Sequence, residues 1–322
     1  MGEADFGFWI LDFGLGRGLR RRLAGLSLTI GLVACASTRS PDAPFDAAVR
    51  SAEARCLCRV AVAARHLESG RAYEHEADAE FEAASVIKIA VLTEAMAGVR
   101  EGRIDLAERW SLSAEEKADG SGMLLLLDAG LNPTWNDLAT LMIGPSDNTA
   151  TNAWIARLGM DRINARMESL GFSHIRLLAM LPPYARRDEE PSPWKGLRLG
   201  AITAHEVSEW MARVARGELL DPESSRRIFE YLDKDPSRLR IARRFASDAL
   251  WAGKSGTMAG TRNDSGILRT KKGRFVLVVL TDRTKSTAMG PDHPAVLAIA
   301  ELAKTIVDTW SAELPDIIAK PE

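Results

Sequence analysis

Residues 264–281 read Asp264-Ser265-Gly266-Ile267-Leu268-Arg269-Thr270-Lys271-Lys272-Gly273-Arg274-Phe275-Val276-Leu277-Val278-Val279-Leu280-Thr281. Lys271-Lys272-Gly273 is a turn signal between two strand-like runs, so the stretch predicts an antiparallel hairpin over 264–270 and 274–281. The second run is apolar without alternation, the pattern of a strand covered on both faces. Another strand is predicted over 251–258. Far away in sequence, residues 58–66 (CRVAVAARH) alternate Val and Ala with other residues. Glu68-Ser69-Gly70 then supplies a turn, and Arg71 to Glu76 reads as the return strand of an N-terminal hairpin.

Between these strand signals the period becomes helical. Ile87, Ala90, Val91, Glu94 and Ala95 recur at three- and four-residue intervals, predicting a helix from Ser85 to about Arg100. Further helices are predicted over 134–143, 147–158, 161–170 and 203–216, and from Pro294 to about Trp310. Thr203-Ala204-His205-Glu206 reads as a capping box that satisfies helix-end amides. Strands at both ends of the chain with helices between them predict an α+β fold. An antiparallel sheet is flanked by helices, and an all-helical subdomain is inserted into it. The sheet subdomain is read as 51–84 with 203–314, the helical subdomain as 85–202, and 315–322 as a tail.

The chain has 322 residues, 46% hydrophobic and 27% charged, enough apolar material for a sizeable core. Its 42 Lys and Arg face 44 Asp and Glu, a net charge of -2. That balance excludes a dedicated nucleic-acid binder, which needs clustered cations to neutralise phosphates. Three cysteines exclude a disulfide-framework scaffold, and five scattered histidines show no zinc-ligand spacing. Cys56 and Cys58 fall on a predicted strand and on one face of it. A bridge between them would be strained there, so paired core thiols are the expectation.

Arg20, Arg21 and Arg22 precede an uncharged run, Leu23 to Ala34, which is short for a membrane span. This is the layout of a secretory signal over residues 1–34. Leu32-Val33-Ala34-Cys35 resembles the bacterial lipoprotein processing box, which implies lipidation of Cys35, export and a membrane anchor in the periplasm or cell envelope. Residues 35–50 are rich in Ser, Pro, Ala and Asp and read as a flexible tether.

Three short motifs share one chemistry. Ser85-Val86-Ile87-Lys88 puts a hydroxyl and an amine one helical turn apart, and a serine becomes a nucleophile only when a base takes its proton. Ser146-Asp147-Asn148 stands directly before a helix, where such residues also serve as N-caps. Lys254-Ser255-Gly256-Thr257 combines a cation, hydroxyls and a glycine that lets a ligand approach the backbone. A second S-x-x-K, Ser192 to Lys195, sits among prolines and reads as accidental.

In this order and at these separations, the three motifs resemble class A β-lactamases and penicillin-binding proteins. FEAASVIK at 81–88, SGML at 121–124, SDNTATN at 146–152 and GTRNDSGI at 260–267 extend the resemblance over about residues 51–312. It implies that Ser85 is acylated and that Lys88 takes or relays its proton. Ser146 would then pass a proton to the leaving nitrogen, with Lys254 keeping that path electropositive. Asn148 would hold the substrate amide, Ser255 with Thr257 would receive the substrate carboxylate, and Gly256 would bind substrate at the strand's backbone. The backbone N–H groups of Ser85 and Thr257 would form the oxyanion hole. Ser121 is placed at the cleft wall, and Asp147 is read as bracing its loop.

The E-x-x-L-N loop of class A β-lactamases is not recognisable. A gapless extension puts Leu181 where its Glu would stand, with Glu189 and Glu190 nearby as lesser candidates for a deacylation base. The resemblance implies a serine hydrolase that forms an acyl-enzyme with a β-lactam or a peptidoglycan stem peptide and deacylates slowly. It implies no metal or cofactor and a monomer. A DD-peptidase, an esterase and a non-catalytic envelope-binding lipoprotein remain the alternatives.

Overall fold

Strand β1 (Arg59–His66) lies directly beside β8 (Gly273–Asp282), bringing the two ends of the chain together in one antiparallel sheet. The computed structural model describes residues 42–181, 196–247, 249–288 and 290–317. The signal sequence, Cys35, Glu189, Glu190 and the second S-x-x-K lie outside the described residues. After helix α1 (Ala43–Cys56) come β1, β2 (Ala72–His75), β3 (Phe81–Glu82) and α2 (Lys88–Arg100). Helices α3 (Trp135–Ile143), α4 (Asn148–Leu158) and α5 (Met160–Ser169) follow, then the short strands β4 (Arg176–Leu177) and β5 (Gly200–Ile202). The chain closes with α6 (Ala204–Arg216), α7 (Pro222–Leu232), β6 (Leu250–Met258), β7 (Thr261–Thr270), β8 and α8 (Pro294–Glu313). Among the described residues, no helix is long and apolar enough to cross a membrane.

The main sheet has the order β2-β1-β8-β7-β6. Val62 stands opposite Val279, and Gly256 opposite Asn263. On one face Val62, Leu268, Leu277 and Val279 pack against Phe45, Ile299 and Trp310 of α1 and α8. On the other, Ala61, Ala63, Val276, Val278 and Leu280 face α6. A strand enclosed by helices on both sides has no polar face to present, which is why FVLVVL runs apolar throughout.

Several expectations change. Ala43–Cys56 is a helix with Phe45 and Val49 buried, so residues 43–50 are part of the packed structure and not a tether. Sequence periodicity is diluted there by Arg50 and Glu53 and by the Ser-Pro-Asp-Ala approach. Cys56 ends that helix instead of sitting on a strand. Leu57 adopts a left-handed conformation that folds the chain back, and Cys56 and Cys58 form a disulfide with Cα atoms 5.2 Å apart. Glu206 does not close a capping box. The Thr203 hydroxyl accepts from the Glu206 N–H, but the Glu206 carboxylate accepts from the His174 N–H at 2.8 Å. The inserted subdomain is not wholly helical, because β5 pairs with β3 and β4 in a second small sheet. Within the tail, the Ile317 N–H donates to the Lys271 carbonyl at 2.7 Å.

Helix α2 is buried from Lys88 to Gly98, the burial expected of a helix packed on all sides. Glu94, placed by the sequence pattern on its apolar face, is fully buried there. Its carboxylate accepts from Arg103 at 2.7 Å and from Arg166 Nε at 2.8 Å, and Glu101 bridges the same two arginines. Removing one member of such a set strands the others. Glu94→Gln is expected to cost about 2–4 kcal/mol, read as a lower urea midpoint with an unchanged slope.

Candidate active site

Residues 82–85 are held from two sides. The Asn263 side-chain amide donates to the Glu82 carbonyl at 2.8 Å and to the Ala83 carbonyl at 3.3 Å. The Glu82 carboxylate collects the N–H groups of Ala84, Arg198, Leu199 and Gly200. Ala84 has φ 46°, a left-handed conformation unusual for a residue with a side chain. Such strain persists only where the surroundings over-determine it, and here it aims the chain into the 3-10 turn Ala84–Ile87 that carries Ser85. The Ser85 hydroxyl is half-buried and has no hydrogen-bond partner among the described residues.

Lys88 begins α2 and is fully buried. Its ammonium donates to the Ser146 carbonyl at 2.6 Å, the Ser146 hydroxyl at 3.1 Å and Asn148 Oδ1 at 3.0 Å. All of its hydrogen bonds go to the 146–148 turn, and the Lys88–Ser85 pair is not hydrogen-bonded. Burial, and next the charge of Lys254, hold the Lys88 amine well below the ordinary lysine range.

Ser146 also adopts a left-handed backbone, φ 60°, which turns its carbonyl toward Lys88. Asp147 caps α4 through the Ala150 N–H at 2.9 Å. Its other oxygen accepts from the Met123 and Leu124 N–H groups at 2.6 and 2.8 Å. The Ser121 hydroxyl donates to the Ser146 carbonyl at 2.7 Å, and the Asn148 amide donates to the Asp119 carbonyl at 2.7 Å. Gly122 makes this seating possible. It has φ 127°, and a Cβ there would stand 2.4 Å from the Asp147 carboxyl carbon.

Strand β6 completes the group. A Cβ on Gly256 would lie 2.8 Å from the Ala83 carbonyl and 3.3 Å from the Ser85 nitrogen, so only glycine admits this approach. Lys254 is buried and donates to the Ser255 carbonyl at 3.1 Å. Burial pushes its amine down to about 8 against the opposing pull of Asp235 and Asp264. Arg240 was not singled out from the sequence. Its guanidinium donates to the carbonyls of Gly256 and Asn263 and to the Thr257 hydroxyl. An arginine in an irregular stretch has no periodic signal, and only the fold brings it to β6. Leu181 is buried, with its N–H and carbonyl both held by the Asn152 side chain.

Four stretches of the chain thus come together: the turn carrying Ser85 and Lys88, the segment at Ser121, the Ser146 turn, and strand β6, which carries Lys254 and opens at a glycine. The chain belongs to the β-lactamase enzyme family, whose profile matches residues 44–310. A β-lactamase of Sphaerobacter thermophilus is 28% identical and superposes with a TM-score of 0.73, over 86% of this chain and 100% of that one. PBP-A is 22% identical, with a TM-score of 0.71 over 84% of this chain and 96% of that one. An ancestral class A β-lactamase is 23% identical, with a TM-score of 0.72 over 82% and 99%. None of the curated proteins matches the chain.

Asp147→Ala would leave the buried Leu124 N–H and its neighbours without an acceptor. The expected cost is about 2–3 kcal/mol. Amide hydrogen exchange should accelerate at Met123 and Leu124 before it does in β8.

Proposed function

We propose that this protein is a serine hydrolase acylated at Ser85 by β-lactams or D-alanyl peptides, and that it releases the acyl group slowly. The carrying observation is that the buried, pKa-depressed Lys88 sits on the Ser146 turn, while β6, which carries the buried Lys254, brings Gly256 against the Ser85 backbone.

The burial that holds Lys88 below its ordinary range favours the neutral amine, the species able to accept a proton. Lys88 would take the Ser85 proton as the hydroxyl attacks the carbonyl carbon. The Ser146 hydroxyl, 3.1 Å from that amine, would pass the proton to the departing nitrogen. The N–H groups of Ser85 and Thr257 would bind the oxyanion, each such donor being worth about 10²–10³ in rate. Asn148 would orient the substrate amide. Ser255, Thr257 and the guanidinium of Arg240 would receive the substrate carboxylate, a pairing in which arginine offers a two-pronged donor.

Slow release follows from Leu181. Hydrolysis of the acyl-enzyme needs a base to activate water, and a buried leucine offers none. A leucine-to-glutamate variant of PBP-A has been captured as an acyl-enzyme with penicillin G, with 23% identity to this chain. The Cys56–Cys58 disulfide fits an oxidising compartment. Together with the Arg20–Ala34 signal layout, it supports export and an anchor at Cys35.

A fluorescent penicillin should label the protein covalently, the Ser85→Ala variant should stay dark, and the label should persist for minutes. Absence of label in the folded wild type would exclude acyl transfer and leave the envelope-binding reading. Loss of the label within seconds would exclude slow release. Leu181→Glu should shorten the lifetime of the adduct. Acylation efficiency should fall as pH rises through about 8, because Lys254 loses its charge there.

A further inference from the structure

Behind the edge strand β6, the structure contains a buried carboxylate that none of the steps above uses. Asp264 stands directly across the ladder from Ser255, on the face of the sheet that also carries Thr257. It is 4% exposed and accepts the Ile241 N–H at 2.9 Å. Ile241 is the residue after Arg240, and Arg240 reaches up to Gly256, Asn263 and Thr257. The carboxylate therefore grips the backbone of the turn from which the guanidinium projects.

The surroundings make that grip electrostatic as well. Arg262 and Lys254 are cations close enough to Arg240 and Asp264 to act on them, and Asp235 is the second anion. His293, at the head of α8, lies within the field of both arginines. For Arg240, burial opposes the charge most strongly, Asp264 is the largest influence favouring it, and Arg262 repels it. Arg240 is only half-buried and has a path to solvent. Without the counter-charge, a desolvated guanidinium repelled by its neighbour would leave the strand.

We propose that Asp264 is a positioning residue: its buried carboxylate clamps the Arg240–Ile241 turn against β6 and keeps the guanidinium on the Thr257 hydroxyl, where the substrate carboxylate docks. The inference rests on the acyl-transfer reading and deepens it, by making recognition of the substrate's carboxylate depend on the charge of a group that never touches substrate. Burial pushes the Asp264 acid up to about 6, so the charge is present at neutral pH and is lost on acidification through that value.

The test compares penicillin G with its uncharged methyl ester, following acylation by intact-protein mass spectrometry over a range of concentrations. Wild type should favour the acid on the order of thirtyfold. Asp264→Asn keeps an acceptor for the Ile241 N–H but removes the charge. It should lower that preference roughly tenfold, through the half-saturating concentration and not the maximal rate. Any effect of the lost charge on Lys254 acts on the acid and the ester alike, so the ratio of the two isolates the carboxylate contact. In wild type the preference should fall as pH drops through about 6, and in the Asp264→Asn variant that limb should vanish. An unchanged preference, a preference that rises, or an acidic limb that survives the substitution and so belongs to Asp235 or His293, each overturns the proposal. Should the variant not fold, a wild-type preference level from pH 7.5 to pH 5 overturns it equally. If neither compound acylates wild type, the acyl-transfer reading itself fails, a result distinct from the others.

Discussion

Two ammonium groups buried within each other's field, Lys88 and Lys254, impose the arrangement of everything around them. A cation removed from water is tolerated only with donors satisfied and counter-charge near. Lys88 meets the first need with three oxygens of the 146–148 turn. The second need is met by Asp147 near Lys88 and by Asp235 and Asp264 near Lys254. The consequence is chemical. A lysine that stayed on the surface would be a fully protonated acid at neutral pH, whereas burial shifts both of these toward the neutral base.

Holding such a site requires rigid support, and the support is visible as strain with its restraints. Ala84 and Ser146 both occupy left-handed backbone conformations, one directly before the candidate nucleophile and one at the turn that faces it. Each is over-determined by a polar clamp. Asn263 and Glu82 fix the first, while Asp147 and Ser121 fix the second. Those clamps are anchored in turn on β7 and on the head of α4. The sheet and the central helix therefore transmit their stiffness to the few atoms that matter.

Much of this was legible in the sequence, and the pattern of success has a physical basis. The 264–281 hairpin, the alternating 58–66 strand and the helices over 134–170 are local statements, in which period and turn residues decide the element. The motifs at 85–88, 146–148 and 254–257 are likewise local, and the structure brings all three into contact. Helix α1 reads as a linker in the sequence because its charged face and the Ser- and Pro-rich approach imitate one. The disulfide is hidden from the sequence because one left-handed residue, Leu57, replaces an extended strand with a reversal. A carboxylate three residues after a threonine has two possible partners, and in the fold Glu206 takes the N–H of His174.

By itself, the sequence determined the identity of the elements and the chemical inventory: a hydroxyl and an amine one turn apart, a capped turn, and a lysine-serine-glycine strand. Those follow from periodicity and side-chain chemistry, which act over a few residues. Only the tertiary structure decided which amine is buried, where Lys88 spends its hydrogen bonds, and that Arg240 and Asp264 belong to the same site. Burial and long-range charge depend on residues far beyond one element, 24 positions apart for Arg240 and Asp264 and 58 for Lys88 and Ser146, and no local pattern encodes which of them the folded chain will press together.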